Sequence, residues 1–172
     1  KIKQSEPLAK QQQTEISFHK PPQHIDDIMC DGPKVGQVIS NFITNALNYT
    51  PKGHVDVYLD RKPTGVEIRV VDDGIGVPAD QQAKLFQKFF RADNAKKERP
   101  SGNGIGLYVA KKVIEEHGGK IIFQSTQGHG STFGFTLPLH PVNNEPTDQH
   151  EVAKEPVQAP SSPPETVHKD VV

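Results

Sequence analysis

The sequence contains only one cysteine and no long apolar run, and each of these features excludes a class of protein. A single Cys30 cannot form a disulfide within the chain, so we expect a reducing compartment such as the cytoplasm. No apolar segment approaches the roughly 20 residues that a membrane-spanning helix requires, and no signal peptide is visible. We therefore expect no membrane contact by this chain. Because the first residue is lysine, we expect a piece of a longer polypeptide.

Neither sign of charge dominates the chain. Lysine and arginine number 20 against 21 aspartate and glutamate residues, which gives a formal net charge of −1. The net charge therefore does not favour the binding of a polyanion, and we expect no nucleic-acid partner. A local basic patch is compatible with this composition.

The final part of the chain is poor in apolar residues and rich in proline. Hydrophobic residues make up 33% of the whole sequence, which has 15 prolines and a mean hydropathy of −0.61. Residues 141–172 contain no aromatic residue, so they cannot bury enough apolar surface to offset their ordering entropy. We predict a linker with a partial first helix at 1–13, a folded domain at 14–140 and a disordered tail at 141–172.

Periodicity and turn residues predict an α+β domain. Apolar residues spaced by three and four predict a long helix from Gly32 or Pro33 to Asn48, which the sequence TPKG ends. Shorter helices are predicted at 5–13 and 105–117, and strands at 14–19, 24–31, 54–60, 65–73, 120–126 and 131–139. This order favours a two-layer sandwich, with about three helices on one face of a mixed, mostly antiparallel sheet.

The long helix carries three amides on one face. Asn41, Asn45 and Asn48 follow the helical period beside an apolar face that includes Phe42 and Leu47. Asparagine costs a helix about half a kcal/mol or more per site relative to alanine. A function for these side chains would explain the cost, whereas bonds to neighbouring backbone would give them a purely structural role.

The segment VVDDGIGVP, residues 70–78, places Asp72 at a strand end just before Gly74 and Gly76. Glycines at this spacing let the backbone approach a flat ligand closely. A carboxylate here can accept a hydrogen bond from the exocyclic amine of adenine, whereas guanine offers a carbonyl oxygen at that place. An ordinary Asp-Gly turn is the alternative interpretation.

A second glycine-rich segment, SGNGIGL, places Gly102, Gly104 and Gly106 at the start of a helix. Free backbone N–H groups at the positive end of a helix dipole favour phosphate. The spacing matches neither the P-loop nor the dinucleotide-binding fingerprint. A flexible loop with a helix cap is therefore an alternative.

Between the two glycine-rich segments, basic residues outnumber acidic ones. A mobile, positively charged segment of this kind suits a lid over a polyphosphate. The alternative is a solvated loop with ordinary core aromatics. The basic residues are Lys84, Lys88, Arg91, Lys96, Lys97 and Arg99, and we expect Phe86, Phe89 and Phe90 to anchor the lid to the body.

The order of these segments resembles the ATP-binding catalytic domain of sensor histidine kinases, within the GHKL group of ATPases. NFITNALNYTP is similar to the family's N box, DDGIGVP to the G1 box, LFQKFFR to the F box, GNGIGL to the G2 box and GSTF to the G3 segment. The resemblance covers roughly residues 5–139. It implies a Bergerat-type α/β sandwich with a flexible ATP lid, and ATP and Mg²⁺ as cofactors.

The resemblance also implies a role for each matching residue. Asn45 supplies an oxygen to Mg²⁺, and Asn41 faces the same phosphates where hydrolytic relatives such as gyrase-type ATPases carry a glutamate. An amide is a poor general base, which favours phosphoryl transfer over hydrolysis. Catalysis is implied for Asn41, Asn45 and Arg91, and nucleotide contacts for Asn45, Asn48, Tyr49, Asp72, Gly74, Gly76, Lys88, Arg91, Gly102, Gly104, Gly106, Leu107 and Thr132.

Three of these assignments carry an alternative. Asn48 stands where the family usually has a lysine that reaches a phosphate, so it either contacts the nucleotide or simply helps to end the helix. Arg91 or a lid lysine is the expected replacement cation. Tyr49 packs either on the nucleotide or in the core. Thr132 is implied to assist Asp72 at the adenine, directly or through water.

The resemblance implies partners that lie outside this chain. The phosphoryl acceptor is a histidine on a separate helical dimerisation domain, and a response regulator follows through the parent polypeptide. None of the eight histidines has the family's HExxxP context, so we expect the chain to bind Mg-ATP without phosphorylating itself. A GHKL ATPase that works by nucleotide-driven closure, a degenerate nucleotide-binding module and a serine protein kinase stay open, as does membrane anchoring of the parent.

Overall fold

A computed structural model describes residues 2–22, 24–25 and 27–139. The helices are α1 (Ile2–Gln12), α2 (Gly32–Tyr49), α3 (Asp93–Glu98) and α4 (Gly106–Glu116), with a 3₁₀ helix at Ala79–Lys84. The strands are β1 (Glu15–His19), β2 (His54–Lys62), β3 (Gly65–Asp72), β4 (Lys120–Ser125) and β5 (Ser131–Pro138). The tail at 141–172, predicted to be disordered, lies outside the described residues.

The five strands form one mixed sheet in the order β1-β2-β3-β5-β4. β1 is parallel to β2 because α2 crosses between them, and every other neighbouring pair is antiparallel. The register pairs Asp72, at the end of β3, with Val55 on one side and Ser131 on the other. The mixed α/β sandwich predicted from the sequence is confirmed, and the register brings the first glycine-rich segment to the edge where β5 begins.

Helix α2 begins and ends as its sequence predicts. The Asp31 side chain accepts a hydrogen bond from the backbone N–H of Lys34 at 3.0 Å, and a proline occupies the first turn. The helix ends at Tyr49, directly before Thr50 and Pro51. Among the residues that the structure describes, no helix is both long and apolar enough to cross a membrane.

The core lies between the sheet and the helices α1, α2 and α4. Phe42 of α2 is fully buried, with its ring centroid 5.8 Å from that of Phe133 and 6.3 Å from that of Phe135. Burial of one such side chain stabilises a fold by about 1.5 to 3 kcal/mol. This packing fixes α2 on the sheet, so the amides on the flank of α2 have a rigid support.

The strand predicted at 24–31 is wrong. Its described residues form a loop, whose backbone N–H groups bond to separate elements rather than to one strand. The N–H of Met29 donates to the carbonyl of Leu139 at 3.4 Å, and that of Asp31 donates to a ring nitrogen of His117 at 3.1 Å. The apolar residues that suggest a strand belong to this loop, and Ile25 and Ile28 pack against the core from it.

Candidate functional site

A cavity of about 280 Å³ lies between α2, the end of β3, the segment 85–104 and the start of α4. This volume is near the lower end of the range for small-molecule pockets. Of the residues singled out from the sequence, the lining contains Asn41, Asn45, Asn48, Tyr49, Asp72, Gly76, Arg91, Gly102, Gly104, Gly106 and Leu107. It also contains five polar residues that were not singled out for this role: Asn94, Arg99, Ser101, Asn103 and Ser131.

Asp72 places a buried carboxyl group at one end of the cavity. The residue is 8% exposed, and its Oδ1 accepts hydrogen bonds from the backbone N–H groups of Gly74 at 3.0 Å and Ser131 at 3.2 Å. Burial raises the pKa of Asp72 to about 6, against the lowering effect of these two bonds. The group is therefore ionised at neutral pH, and it has a second oxygen to offer a donor.

Gly74 and Gly76 allow the chain to turn beneath this carboxyl group. A Cβ on Gly74 would lie 2.2 Å from the carbonyl oxygen of Tyr49. Gly76 has a φ of 59°, and a Cβ there would lie 2.1 Å from the carbonyl oxygen of Thr126. The close approach of backbone to backbone, rather than a generic turn, is the reason for glycine at both positions.

Replacement of Gly74 by alanine is expected to destabilise the fold by about 1 to 3 kcal/mol, because the new methyl group overlaps a fixed carbonyl. The Tyr49 carbonyl cannot retreat freely, since it also accepts a hydrogen bond from the N–H of Ile75 at 3.1 Å. Urea unfolding measures the change. Gly32→Ala is the matched control, because a Cβ there has no atom within 4 Å and we expect less than about 0.5 kcal/mol. Equal stability of the two variants would contradict the overlap.

The amides of α2 form one wall of the cavity. Asn41, Asn45 and Asn48 all line it, as their helical spacing predicts. The Nδ2 atom of Asn41 is buried without a hydrogen-bond partner among the described residues, and a Cβ on Gly106 would lie 2.6 Å from the Asn41 Oδ1. The start of α4 is thus packed closely against Asn41. A buried polar atom without a partner is costly in a closed fold, and a ligand in the cavity would satisfy it.

The segment 79–104, which we call the lid, contains helical structure that its sequence does not predict. It contains the 3₁₀ helix and α3, and buried Leu85 and Ala92 fix it to the body. The Asn94 side chain donates to the carbonyl of Gly76 at 2.8 Å, which ties α3 to the glycine turn. The lid therefore lies over the cavity with defined contacts.

Two of the three lid aromatics anchor it as expected. Phe86 packs edge-on against Phe123 at 5.9 Å, and Phe90 packs against the core. Phe89 does not anchor the lid, since its side chain is 65% exposed and its φ is 66°. The turn at this residue bonds the Phe89 N–H to the carbonyl of Gly104 at 3.0 Å, and this geometry directs the ring to solvent.

Arg91 holds the lid backbone together. Its guanidinium donates to the carbonyl oxygens of Pro100 at 3.0 Å, Ala95 at 3.2 Å and Gly102 at 3.4 Å, and also to that of Arg99. These bonds use the planar, forked geometry that arginine has and lysine lacks. Arg91 also lines the cavity, so its positive charge lies beside the cavity while its N–H donors bind the lid backbone.

Three residues assigned from the resemblance do not line the cavity. Lys88 is exposed, with its ammonium group 5.0 Å from the centroid of the Phe89 ring. Gly74 lies outside the lining and donates its backbone N–H to the Asp72 carboxylate. Thr132 is also absent from the lining, and Ser131 takes its place. Successive strand residues point to opposite faces, so only one of the two can accompany Asp72. The pairing of Asp72 with Ser131 in the sheet was the signal that sequence reasoning missed.

Together, the fold and the cavity define a nucleotide-binding domain of the α/β sandwich type, with a buried acid, an amide-lined helix and an arginine-bearing lid. The chain belongs to the family of histidine kinase-, DNA gyrase B- and HSP90-like ATPases, whose family model matches residues 30–141. Its similarity to sensor kinases identifies it within that family as a histidine kinase ATP-binding domain.

Three relatives illustrate this similarity. The chain is 35% identical over 145 residues to the sensor histidine kinase WalK of Bacillus subtilis, which is 83% of this chain and 24% of WalK. The solved structure of the mycobacterial sensor histidine kinase MprB is 26% identical, with a TM-score of 0.68 over 82% of this chain and 94% of that one. Full-length ShkA in complex with AMPPNP is 26% identical, with a TM-score of 0.70 over 81% of this chain and 28% of ShkA. The chain therefore spans about a quarter of WalK.

Proposed function

We propose that this chain binds Mg-ATP and transfers its γ-phosphoryl group to a histidine on a separate dimerisation domain, with residues 14–140 as the catalytic unit. The observation that carries the proposal is a buried Asp72 carboxyl group at one end of a cavity whose wall is a row of α2 amides. The AMPPNP complex of ShkA, which this chain resembles, supports an adenine nucleotide as the ligand.

Asp72 selects adenine in this proposal. Its carboxylate is held by two backbone N–H groups and stays in one orientation, so it can accept a hydrogen bond from the exocyclic amine of the base. Guanine would bring a carbonyl oxygen to the same position and leave two acceptors facing each other. An unmade bond to a buried charged group costs more than the bond itself contributes. Ser131, rather than Thr132, is the hydroxyl residue beside Asp72 in this arrangement.

The amides fit magnesium. No group of three or more His, Cys, Asp or Glu residues that could hold a metal occurs among the described residues, and Mg²⁺ needs none, since it takes few protein oxygens and keeps several waters. The Asn45 side chain lines the cavity and makes no hydrogen bond to another described residue, so we assign its oxygen as the ligand. When bound, the ion neutralises charge on the phosphates.

Asn41 favours transfer over hydrolysis. Its amide lies in the wall one turn before Asn45 and offers no base for the activation of water. Its partnerless Nδ2 is instead a donor that can orient a phosphate oxygen. Phosphoryl transfer requires positioning and charge neutralisation more than covalent chemistry from the protein, which is what these side chains supply.

The acceptor histidine comes from a partner in this proposal. No described histidine lines the cavity, and His117 uses both ring nitrogens in hydrogen bonds to Val113 and Asp31. We therefore propose the helical dimerisation domain of the parent kinase as the acceptor and a cytoplasmic response regulator after it. The test is to incubate the chain with γ-labelled ATP, alone and with that domain. Acid-labile phosphate should form on the added domain only; a stable phosphohistidine on the chain alone would refute the proposal.

The affinity for adenosine is expected to fall about tenfold between pH 7.5 and pH 5. Only the carboxylate form of Asp72 can accept from the base, and its pKa is about 6, so roughly one molecule in ten is competent at pH 5. Adenosine is the appropriate ligand, because it carries no phosphate that titrates in this range. Calorimetric titration across this range measures the effect. A flat profile would contradict the role of the carboxylate.

A further inference from the structure

We propose that Thr50 is a positioning residue of the adenine site, whose buried hydroxyl donates a hydrogen bond to the Asp72 carboxylate from outside the cavity and orients it toward the base. The inference rests on the proposed function and adds a residue that has no role in it so far. It starts from a polar atom that the fold buries without a partner.

The hydroxyl of Thr50 is buried and unpaired. Thr50 follows α2 directly and is 2% exposed, and its Oγ1 atom has no hydrogen-bond partner among the described residues. A buried hydroxyl that makes no hydrogen bond is costly. The unpaired amide of Asn41 lines the cavity and can be satisfied by a ligand, whereas Thr50 does not line it. The partner of the Thr50 hydroxyl is therefore expected within the protein.

Packing fixes the direction of this hydroxyl. The Thr50 carbonyl accepts a hydrogen bond from the Thr14 hydroxyl at 2.7 Å and another from the N–H of Gly53 at 3.4 Å. A Cβ on Gly53 would lie 2.6 Å from the Thr50 Cγ2 atom, and a Cβ on Gly74 would overlap the Thr50 Oγ1 atom. The methyl group of Thr50 thus faces Gly53, and its hydroxyl faces Gly74. A β-branched side chain held on both branches keeps one χ1 rotamer.

The hydroxyl faces the turn that already binds Asp72. The backbone N–H of Gly74 donates to the Asp72 Oδ1 at 3.0 Å, and that of Ser131 donates to it at 3.2 Å. A carboxylate can accept about four hydrogen bonds, so it accommodates a third protein donor together with the base. Burial raises the pKa of Asp72, and the Thr50 hydroxyl lowers it in the same way as these two N–H groups do. This direction is the one expected of a donor to the charged form.

Other titratable or charged groups share the cavity or the sheet end with Asp72, and the comparison below leaves all of them in place. The β2 residue paired with Asp72 is the apolar Val55. The exposed Asp73 raises the pKa of Asp72 by its charge. The remaining groups are Tyr49 at the end of α2, His129 before β5, and Arg91 and Arg99 of the segment over the cavity. A change in the pH dependence of binding on substitution of Thr50 therefore reports the hydroxyl.

The test measures adenosine affinity by calorimetry of the whole chain between pH 8 and pH 6. Thr50→Val removes the hydroxyl and keeps the branched shape. Because the carboxylate form of Asp72 loses a donor, we expect the midpoint of the pH profile to rise by about one unit. The ratio of wild-type to Thr50→Val affinity should then increase about fivefold from pH 8 to pH 6. Thr50→Ser keeps the hydroxyl and should keep the wild-type midpoint.

A second readout follows Asp72 without a nucleotide. An NMR titration of the Asp72 carboxyl carbon in the unliganded chain should show the same rise in pKa for Thr50→Val and no rise for Thr50→Ser. Ser40→Ala is the matched control, because it removes another α2 hydroxyl, which donates to the Gly36 carbonyl at 2.9 Å, and it should leave the pKa of Asp72 unchanged. If Thr50→Val does not fold, Thr50→Ala and Thr50→Ser give the same comparison, since they differ by the hydroxyl alone.

The outcomes distinguish this inference from the proposed function. If the wild type bound no adenosine, the proposed function would fail, and the NMR titration would still decide whether Thr50 acts on Asp72. If Thr50→Val kept the wild-type pKa of Asp72, or lost adenosine affinity by the same factor at every pH, Thr50 would have no positioning role. An equal rise in Thr50→Ser and Thr50→Val would assign the effect to altered packing and overturn the inference.

Discussion

The Asp72→Asn variant is expected to lose at least about 100-fold in affinity for adenosine nucleotides at pH 7.5 while its unliganded fold becomes more stable. The amide keeps an oxygen that can accept from the N–H groups of Gly74 and Ser131. Its NH₂ group, however, meets the exocyclic amine of adenine donor to donor. A loss of a charge-assisted bond together with an unpaired buried donor corresponds to about 3 kcal/mol, or about 100-fold.

The gain in stability follows from the direction of the pKa shift. Asp72 has a pKa of about 6 in the folded chain, above its ordinary value of 3.8. Between these two values the unfolded chain has already released a proton that the folded chain retains, so stability falls as pH rises through this interval. Above about pH 6 the full cost of the buried charge is present, and its removal should raise the free energy of unfolding by about 1 to 3 kcal/mol.

Asp73→Asn is the matched control, because it removes the neighbouring carboxylate outside the cavity. Asp73 accepts hydrogen bonds from the backbone N–H of His54 at 2.7 Å and from its ring, and these bonds lower the pKa of Asp73. The control should bind nucleotide like the wild type and lose slight stability. Calorimetry and thermal unfolding of both variants measure the two effects. An Asp72→Asn variant that binds ATP normally, or is less stable than Asp73→Asn, would contradict the role of Asp72.

Asn45→Ala is expected to reduce phosphoryl transfer to the dimerisation domain by about 100-fold and to remove the dependence of ATP affinity on magnesium. Without this protein ligand, the metal ion and the phosphates are no longer held in a fixed position. A bound metal ion stabilises the transition state of phosphoryl transfer by several kcal/mol. Each 1.36 kcal/mol corresponds to tenfold in rate. Alanine also favours the helix more than asparagine does, so the fold should not weaken.

Thr44→Ala serves as the control, because Thr44 is exposed and adjacent to Asn45 on α2. ATP titrations with and without magnesium, followed by transfer assays, compare the two variants. The control should retain both the magnesium effect and the transfer rate. If Asn45→Ala still bound ATP more tightly with magnesium than without it, the metal ligand would have to be another group.

The regular elements of the fold were predictable because their local signals agree with their packing. Helix α2 combines an apolar face, the Asp31 cap, a proline in the first turn and a stop at Pro51, and its observed span differs from the prediction by one residue. The two hairpins likewise follow their local sequence, because turn residues separate the paired strands. The helical period also placed the three amides of α2 correctly in one wall.

The errors arose where tertiary contacts override the local pattern. Residues 24–31 look like a strand, but the N–H groups of Met29 and Asp31 bond to two separate elements, at Leu139 and His117. Phe89 looks like a core residue, but the turn that closes on Gly104 exposes it. Arg99 lines the cavity and donates to the side chain of Asn48, a residue 51 positions away, so composition of the lid alone could not distinguish it from the lysines.

Calorimetric titration of the chain with ATP and with GTP, in magnesium at pH 7.5, tests the role of Asp72 as the adenine receptor most directly. ATP should bind with one site per chain, and GTP should bind at least about 100-fold more weakly, because its carbonyl oxygen would face the Asp72 carboxylate. Equal affinity for the two nucleotides, or no heat with either, would contradict the assignment of this cavity as an adenine nucleotide site.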